Sequence, residues 1–533
     1  MEEKKDVYFD PLDMNNYRVE KLPKMEKSGF EKWLARLGGP LSIIAFILLY
    51  CFIDISFLDN LNPETLTGGA VKRLAELGLD NFTRINYAMV AIFVAAIILW
   101  ITEAVPNYLT SLLLILAMVL LNVTTDKVAY AQLGHPVMWL NILSFVLASM
   151  LVKTKVAKRF ALWFVIRFGK NSTWVIFSFI IINVVLSAFI SATTAKATIL
   201  LPIFMVIAAI YGARGGGHRN NFGRNLVLQN LFQINVGASG FLTGSGANLL
   251  AASLIAGSIG QELFSYQDWF VAAFPLAMII ILIGWFVGSR IIFPLKPGEE
   301  VPQIAGGMEY LKKELASMGK MQFQEYKAIA IFVGVLALWA TDKQHGIDQT
   351  AVAFIGAVIA LLPRIGIVKW NDVDIPWHLM IFSAGAYTLG AGLDATGLPV
   401  TMVDAVFNHL GLDAATPFWV VYLILTAMML FSALLFQSKT MRALIFIPIA
   451  IGVSQKFGYP IMSLSFPLAL LIEHVYVLPF NSKPAALLYT TNQYSILDAF
   501  KFGFTMMLIT WVMIIIWGET VLNWLGYTDG LFF

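Results

Sequence analysis

Long apolar stretches divide this sequence and decide its fold class. Five of them cover residues 41–57, 85–101, 269–293, 326–340 and 502–525. Such stretches cross a bilayer as helices, because a helix satisfies its own backbone hydrogen bonds in lipid. Since 58% of the residues are hydrophobic and 13% are charged, the chain cannot cover its apolar surface with a polar exterior. We expect an all-α polytopic membrane protein with about 11 transmembrane helices.

Other fold classes are disfavoured by the same pattern. A transmembrane β-barrel needs many short segments of alternating polarity, whereas this chain has long continuous ones. The single cysteine, Cys51, excludes a disulfide within the chain and a thiolate metal cluster. Residues 1–40 are charged and lack an apolar core with a small-residue cleavage site, so no removable signal peptide is predicted.

The basic residues predict the orientation in the membrane. Several precede the first apolar stretch: Lys21, Lys24, Lys27, Lys32 and Arg36. By the positive-inside rule they place the N-terminus in the cytoplasm, and the absence of lysine and arginine after the last stretch fits a C-terminus outside. We expect a multi-pass protein of a bacterial-type plasma (inner) membrane.

Four landmarks occur twice along the chain, in the same order. The second copies follow the first by 237 to 247 residues. They pair Trp100 with Trp339, Trp139 with Trp377, Ser191 with Ser438, and Ser245 with Ser482. Paired interruptions of apolar segments in two halves are typical of secondary transporters built from inverted repeats around a central binding site.

A polar, amphipathic stretch near the middle separates the two copies. The sequence therefore predicts a cytoplasmic N-terminal segment (1–40), a first span with repeat 1 (41–293), an amphipathic cytoplasmic linker (294–326) and repeat 2 (327–533). An odd number of spans in each repeat would give the repeats opposite orientations.

Two apolar segments are candidates for re-entrant hairpins. They begin near Trp139 and Trp377 and are followed closely by charged residues, Lys153 in the first and Asp394 in the second. This pattern favours hairpins over full spans, with two ordinary tilted helices as the alternative.

Hydroxyl-bearing residues interrupt two other apolar segments. Ser191, Thr193 and Thr194 form one patch, and Ser438 and Thr440 form the other. At a helix break, such residues supply side-chain donors beside the backbone N–H groups of the following helix, where the dipole favours anions. One carboxylate at each break would suit a substrate with two. The alternative is that each hydroxyl bonds a carbonyl one turn back.

Segments 244–248 and 481–485 place Gly, Pro, Ser and Asn inside apolar sequence. An unwound backbone there would expose carbonyls to a cation or amides to an anion. A kink that neighbouring helices close is the alternative.

Intramembrane cations indicate function, because a buried ammonium needs a partner or a cavity. Lys439 and Lys483 each lie at a break in the second copy, where a fixed positive charge can neutralise a bound carboxylate. Lys196 and Arg442 lie close to the hydroxyl patches in the sequence and are expected to add to the positive electrostatic field there. The alternative is an ammonium that reaches the membrane interface, and the sequence favours it more for Lys196 than for Lys439.

Glu473 and His474, adjacent in an apolar run, are either a proton-relay pair or a structural pair. Glu103 is assigned to a helix end. The sequence contains no phosphate-binding glycine motif, metal-ligand spacing or nucleophile elbow. We therefore expect no enzyme activity, no cofactor, no metal and no nucleic-acid partner.

These motifs resemble the divalent anion/sodium symporter family of di- and tricarboxylate transporters. Residues 102–106, Thr-Glu-Ala-Val-Pro, match the family's Thr-Glu-Ala-Ile/Val-Pro segment. Residues 191–193 and 438–440 resemble its two Ser-Asn-Thr motifs, and residues 244–248 and 481–485 resemble its Gly/Ala-Thr-Pro-Pro-Asn loops. The resemblance covers the chain from about residue 41 to its end.

The resemblance implies two inverted repeats with re-entrant hairpins, a homodimer, and elevator-type movement of a transport domain against a scaffold. The expected substrate-binding residues are Ser191, Ala192, Thr193, Thr194, Asn248, Ser438, Lys439, Thr440 and Ser482. The register of the first motif is open, because residues 192–194 also fit its spacing.

The positions at which this sequence departs from the family pattern predict whether transport is coupled to sodium. Ala192 and Lys439 stand where the two motifs have asparagine, and Ala485 replaces the terminal asparagine of the second loop. Those asparagines belong to the family's sodium and substrate sites, so Lys439 and Lys483 are expected to supply the charge that sodium supplies elsewhere. The resulting prediction is sodium-independent exchange of C4 and C5 dicarboxylates, such as malate, succinate, fumarate and 2-oxoglutarate, as in the family's exchanger branch.

Two other functions stay open. One is sodium- or proton-coupled symport of di- or tricarboxylates in the same family, with Glu473 and His474 as the proton relay. The other, less favoured, is a channel or cation/proton antiporter, because such proteins centre on intramembrane carboxylates rather than on hydroxyls and lysines.

Overall fold

The computed structural model describes residues 10–17, 29–59, 63, 66, 68–169, 171–261, 264–304, 306–402, 416–436, 438–479 and 481–532. Within these ranges the chain forms helices and no strand, which confirms the all-α prediction.

The first half contributes the helices α1 to α10. They are α1 (Gly29–Cys51), α2 (Leu79–Thr102), α3 (Asn107–Leu120), α4 (Pro136–Lys153), α5 (Val156–Phe168), α6 (Ser172–Phe189), α7 (Thr193–Ile210), α8 (Asn221–Ser239), α9 (Gly246–Ser258) and α10 (Tyr266–Phe286).

The second half contributes α11 to α19. They are α11 (Gly307–Ser317), α12 (Phe323–Ala340), α13 (Gln349–Leu361), α14 (Trp377–Thr396), α15 (Phe418–Phe431), α16 (Lys439–Phe457), α17 (Ile461–Leu470), α18 (Lys483–Tyr489) and α19 (Ile496–Glu519). Other, mostly shorter helical segments are left unlabelled, among them Met14–Tyr17, Ser56–Asp59, Gly69–Leu77, Asp126–Ala131, Leu242–Gly244, Val287–Ile292, Asp342–His345, Ser432–Leu434 and Val521–Trp524.

In the described part of the chain, eight helices are long and apolar enough to cross a membrane. They cover Lys32–Asp59, Leu79–Thr102, Asp126–Lys153, Thr193–Ile210, Tyr266–Ile292, Phe323–Ala340, Lys439–Phe457 and Ile496–Trp524. The five stretches chosen from the sequence fall on five of these spans. Shorter apolar helices of 10–17 residues accompany them, and how these sit in the bilayer decides the total number of crossings.

Local sequence sets several helix ends. The Asn171 side chain accepts the Trp174 N–H and caps α6, and Ser495 caps α19 in a capping box with Asp498. Gly397 and Gly458 follow α14 and α16 in the left-handed region, at φ of 64° and 71°, where glycine ends a helix without a side-chain clash.

The repeated tryptophans occupy matching places in the two halves. The Trp100 ring N–H, near the end of α2, donates to the carbonyl of Asn107, the first residue of α3, at 3.4 Å. The Trp339 ring N–H, near the end of α12, donates to the carbonyl of Gln349, the first residue of α13, at 3.0 Å. Both indoles are buried. The duplicated landmark therefore corresponds to a duplicated helix–helix junction.

The prediction of re-entrant hairpins near Trp139 and Trp377 is wrong. Both residues lie in single unbroken helices, α4 of 18 residues and α14 of 20 residues. Ordinary helices, the alternative drawn from the sequence, therefore occur at both places, and the charged residues at their ends form part of the helix or the following turn.

The predicted linker, residues 294–326, contains α11, which packs against α5. Lys158 of α5 forms a salt bridge of 2.6 Å with Glu314, and Arg159 one of 3.0 Å with Glu325 at the start of α12. The division of the chain at this linker, and the opposite orientation of the repeats, remain predictions.

Candidate functional site

The first hydroxyl patch lies at the tip of a helical hairpin. α6 ends at Phe189 and α7 begins at Thr193, and residues 190–192 between them are not helical. The two helices run antiparallel, because the rings of Phe179 and Phe204, placed on either side of the tip, pack edge to face with their centroids 5.1 Å apart. The hydroxyl patch that interrupts the apolar sequence is thus the tip of a helical hairpin.

The second hydroxyl patch has the same setting. α15 ends at Phe431, a short helical turn covers Ser432–Leu434, and α16 begins at Lys439. At the open end of this hairpin the rings of Phe418 and Tyr459 pack edge to face with their centroids 4.9 Å apart. Within the part of the chain that the structure describes, these two hairpins therefore each carry one hydroxyl patch at the tip.

The helix starts decide the register of the first motif. α6 and α15 begin at Ser172 and Phe418, and α7 and α16 begin at Thr193 and Lys439, so both pairs differ by 246 residues. Ala192 is therefore the counterpart of Ser438, and residues 192–194 align with residues 438–440. The pairing of Ser191 with Ser438 was displaced by one residue.

Segments 244–248 and 481–485 mark breaks in two helices that cross the hairpins. α8 ends at Ser239 and α9 starts after Ser245, while α17 ends at Leu470 and α18 starts after Ser482. The two serines have nearly the same backbone angles, φ −159° and ψ 158° against φ −157° and ψ 156°. Each side chain accepts the backbone N–H three residues on, at 3.3 Å. The breaks are thus equivalent N-terminal caps.

The hairpin tips and the two breaks enclose one cavity of about 390 Å³. It is lined by Glu103, Asn107, Asn141, Phe145, Ser191, Ala192, Thr193, Thr194, Ser245, Gly246, Ala247, Leu379, Met380, Phe382, Ser383, Ser438, Lys439, Thr440, Ser482, Lys483, Pro484 and Ala486. Residues from both halves of the chain meet here, so the duplicated motifs converge on one space.

The structure places nearly all the predicted binding residues on this cavity. The nine predicted positions include eight that line it, and Asn248 is the exception. The Asn248 side chain is fully buried, and its Nδ2 donates to the carbonyls of Ala238 and Phe241 at 2.9 and 3.0 Å. Its amide therefore holds the unwound segment in place.

The two hydroxyl patches differ in how their side chains are engaged. The Thr193 hydroxyl accepts the Lys439 ammonium at 3.2 Å. The Ser191 hydroxyl is buried and has no hydrogen-bond partner within the described residues. Ser438 accepts the Met441 N–H at 3.4 Å as the cap of α16. The Ser191 hydroxyl thus has free capacity for a ligand.

Lys439 joins the two hairpins and the second break. Its Nζ lies 2.5 Å from Oε2 of Glu473, 3.2 Å from the Thr193 hydroxyl and 3.4 Å from Oδ1 of Asn235. Glu473 lies in the non-helical segment after α17 and is fully buried. From the sequence, Lys439 is predicted to be a positive charge that compensates a substrate carboxylate. In the structure, the Glu473 carboxylate already forms a salt bridge with it.

Lys483 is the other predicted charge-compensating residue. It is the first residue of α18, lines the cavity, is exposed and forms no salt bridge with any residue that the structure describes. Its charge is therefore available to a ligand.

Lys196 is fully buried, which excludes the alternative that its ammonium reaches the membrane interface. Its Nζ donates to the Ser187 hydroxyl at 2.8 Å and to the Ile234 carbonyl at 3.2 Å. Arg442, also fully buried, donates to the Ser432 hydroxyl and the Ile472 carbonyl, each at 2.9 Å. Both cations lie behind the cavity wall.

Glu473 and His474 have separate partners. Glu473 bonds Lys439 and accepts the Ser245 hydroxyl, whereas His474 Nδ1 lies 3.1 Å from the Tyr476 hydroxyl. This geometry favours the structural-pair interpretation over a proton relay between the two residues.

The family of the chain follows from comparison with known sequences. The family described as the sodium:sulfate symporter transmembrane region matches residues 79–528. The chain belongs to the divalent anion/sodium symporter family. This confirms the resemblance drawn from the motifs.

Relatives match most of the chain. A membrane protein of Cupriavidus necator is 25% identical over 469 residues, which cover 84% of this chain and 89% of the relative. The sodium-dependent dicarboxylate transporter SdcS of Staphylococcus saprophyticus is 25% identical over 462 residues, covering 81% and 86%. SdcS of Staphylococcus aureus is 25% identical over 438 residues, covering 78% and 82%.

A solved structure matches at lower similarity. The crystal structure of the Alcanivorax borkumensis YdaH transporter covers 94% of this chain and 99% of its own, at 12% identity and a TM-score of 0.44. A likeness at that score does not establish a shared topology.

Several cavity residues of this family member were missed from the sequence. Ser245 is the structural counterpart of Ser482, so the repeat itself carried the signal for it. Asn107, Asn141 and Ser383 come from α3, α4 and α14, and nothing in their local sequence marks them. They reach the cavity only because these helices pack around the hairpin tips.

The described residues contain no group of three or more His, Cys, Asp or Glu side chains placed to hold a metal ion. The cavity instead combines hydroxyls, amides and ammonium groups with helix starts, among them those at Thr193, Gly246 and Lys439. Such a donor set favours an anionic ligand.

Proposed function

We propose that this protein is a secondary transporter that carries dicarboxylates across the membrane. The observation that supports this most strongly is that two hairpin tips, one from each half, meet at one cavity. α7 and α16, helices of 18 and 19 residues, both begin there. Because a helix N-terminus favours a negative charge, two such ends in one space suit a molecule with a carboxylate at each end.

The size and charge of the cavity support the same class of substrate. Its volume of about 390 Å³ is within the range of small-molecule sites. Several charged side chains line it or interact electrostatically with Glu473 behind its wall: Glu103, Lys196, Lys439, Arg442, Glu473 and Lys483. Four of these are cations and two are carboxylates, so their formal net charge of +2 balances a dianion.

The relatives bear on substrate and coupling. The two SdcS proteins are named as sodium-dependent dicarboxylate transporters, which supports a dicarboxylate as the substrate. The same names support sodium-coupled symport, the alternative drawn from the sequence, better than they support exchange.

Sodium-independent exchange is supported by a local observation. Lys439 replaces the family's asparagine at the second hairpin tip, and its ammonium bonds both hairpins and the second break. Lys483 adds an exposed cation at the same cavity. Because fixed cations already occupy this half of the site, we propose exchange of C4 and C5 dicarboxylates without sodium, with sodium-coupled symport as the competing function.

The remaining parts of the proposal concern movement and assembly. We expect elevator-type movement of the hairpins and broken helices against a scaffold, in a homodimer of a bacterial-type plasma membrane. The N-terminus is expected in the cytoplasm and the C-terminus outside.

Counterflow in proteoliposomes tests the proposal. Vesicles with or without internal unlabelled succinate receive labelled succinate outside, in sodium or in choline buffer. Exchange predicts uptake that needs internal dicarboxylate and is equal in both buffers. Sodium symport predicts uptake into empty vesicles that an inward sodium gradient drives, and a protonophore-sensitive signal would instead indicate proton coupling.

A matched pair of variants ties the signal to the cavity. Ser438→Ala removes a hydroxyl that lines it and is expected to weaken succinate uptake, whereas Ser454→Ala removes a buried hydroxyl elsewhere on α16 and is expected to have no effect. A folded wild-type protein that neither transports nor is thermally stabilised by any di- or tricarboxylate refutes the proposal.

A further inference from the structure

Glu473 is a charged group of the site that lies behind the wall of the cavity. It is fully buried in the non-helical segment between α17 and α18 and does not line the cavity. Two residues that do line it are bound to its carboxylate: the Ser245 hydroxyl donates to one oxygen and the Lys439 ammonium lies 2.5 Å from the other. The carboxylate therefore acts on the cavity through its wall.

The groups that face Glu473 come from several elements. α16 contributes Lys439 and Arg442, α7 contributes Lys196, and the cap of α9 contributes Ser245. His474, the next residue, turns to Tyr476 instead. Within the described residues, Glu473 is thus the only carboxylate among the fully buried Lys196 and Arg442 and the partly buried Lys439.

We propose that the Glu473 carboxylate sets the valence of the anion that the cavity accepts. The inference rests on the proposed function. With Glu473 present, the formal charge around the cavity is +2, which balances a dicarboxylate. Without it the charge is +3, which balances a tricarboxylate. Glu473 is accordingly a positioning and specificity residue that contacts no substrate.

The size of the effect follows from the charge alone. At an effective dielectric constant of about 20, a unit charge about 10 Å away changes the binding of each further substrate charge by roughly tenfold. Removing the Glu473 carboxylate is therefore expected to strengthen the binding of citrate, relative to that of succinate, by about tenfold.

Competition assays test this. Proteoliposomes containing wild type, Glu473→Gln or Lys439→Gln take up labelled succinate, and unlabelled succinate and citrate compete at a pH at which citrate is fully ionised. The ratio of the two half-inhibitory concentrations, citrate to succinate, is expected to fall about tenfold in Glu473→Gln and to rise by a similar factor in Lys439→Gln. The double variant, whose net charge equals that of the wild type, is expected to return towards the wild-type ratio.

Glu325→Gln is the matched control. Glu325 is also a buried carboxylate in a salt bridge, with Arg159, but it caps α12 and does not line the cavity. Its substitution is expected to leave the ratio unchanged.

The two single variants are expected to shift the citrate-to-succinate ratio in opposite directions. An effect of charge can therefore be distinguished from damage to the fold. An unchanged ratio in Glu473→Gln, or shifts in the same direction in both single variants, overturns the inference. If Glu473→Gln does not fold, the rise expected in Lys439→Gln decides alone, and its absence overturns the inference. Failure of the wild type to bind either acid refutes the proposed function instead, so the two failures are distinguishable.

Discussion

Lys196 and Arg442 occupy equivalent positions in the two hairpins, each as the fourth residue of the helix that follows the tip. Each ties its hairpin to the broken helix that crosses it. Lys196 links Ser187 of α6 to Ile234 of α8, and Arg442 links Ser432 to Ile472, just after α17. The repeat therefore preserves a buried cation with the same structural task, although the residue type differs.

The first prediction concerns Arg442, whose guanidinium is fully buried and satisfies acceptors on two segments. Arg442→Met leaves those acceptors without a donor and is expected to destabilise the protein by about 3 kcal/mol. Thermal unfolding in detergent measures this, and Arg214→Met, at an exposed loop position, is the control with no expected change. An unfolding temperature equal to that of the wild type contradicts this stabilising role of Arg442.

The second prediction concerns the hydroxyl of Ser191, which lines the cavity and has no hydrogen-bond partner in the described part of the chain. Ser191→Ala removes one donor to the substrate and is expected to raise the KM for succinate about fivefold, the effect of a lost hydrogen bond of about 1 kcal/mol. kcat and the unfolding temperature are expected to stay close to wild type.

Ser178→Ala provides the control for that measurement. Ser178 is a buried serine of α6 whose hydroxyl donates to the Val175 carbonyl at 2.7 Å and does not line the cavity. Equal KM values for both variants and the wild type would remove Ser191 from the binding site.

The third prediction separates two roles for Asn248. Because its amide bonds the carbonyls of Ala238 and Phe241 in the unwound segment, Asn248→Ala removes two buried hydrogen bonds, and each carbonyl keeps only a backbone N–H donor. We expect a loss of about 2–3 kcal/mol in the free energy of unfolding and an unchanged succinate KM in the protein that remains folded. A raised KM at an unchanged unfolding temperature would instead restore the ligand role expected from the family motif.

The fold class followed from the sequence because it depends on local properties. Apolar length and internal hydrogen bonding are read residue by residue, and five predicted stretches coincide with five spans. The hairpins were misplaced for a physical reason. Charged residues after Trp139 and Trp377 indicated short segments, whereas a hairpin needs a helix break, and breaks occur at the hydroxyl patches, at residues 190–192 and directly before Lys439.

The candidate site could be predicted as far as the repeat carried it. Ser191, Ser438, Ser482 and Lys483 line one cavity because each lies at a helix break that occurs in both halves of the chain. The partner of Lys439 could not be predicted, because Glu473 lies 34 residues away and reaches it only through the crossing of α16 and the second break. Pairing across packed elements leaves no mark on local sequence.

The last prediction concerns Asp342, which lies three residues after Trp339, as Glu103 lies three residues after Trp100. Its first-copy counterpart, Glu103, lines the cavity, whereas Asp342 does not. The Asp342 carboxylate accepts the Tyr266 N–H at 2.7 Å, the Ser265 hydroxyl at 3.3 Å and the Gln349 amide at 3.0 Å, and so caps α10 from outside. Asp342→Asn removes the charge that the helix N-terminus favours, and is expected to cost about 2 kcal/mol of stability without changing succinate affinity. Thermal unfolding and competition assays measure both quantities, with Asp374→Asn, at an exposed position, as the control. A shift in succinate affinity at an unchanged unfolding temperature would assign Asp342 to transport, because a cap acts on the free energy of unfolding alone.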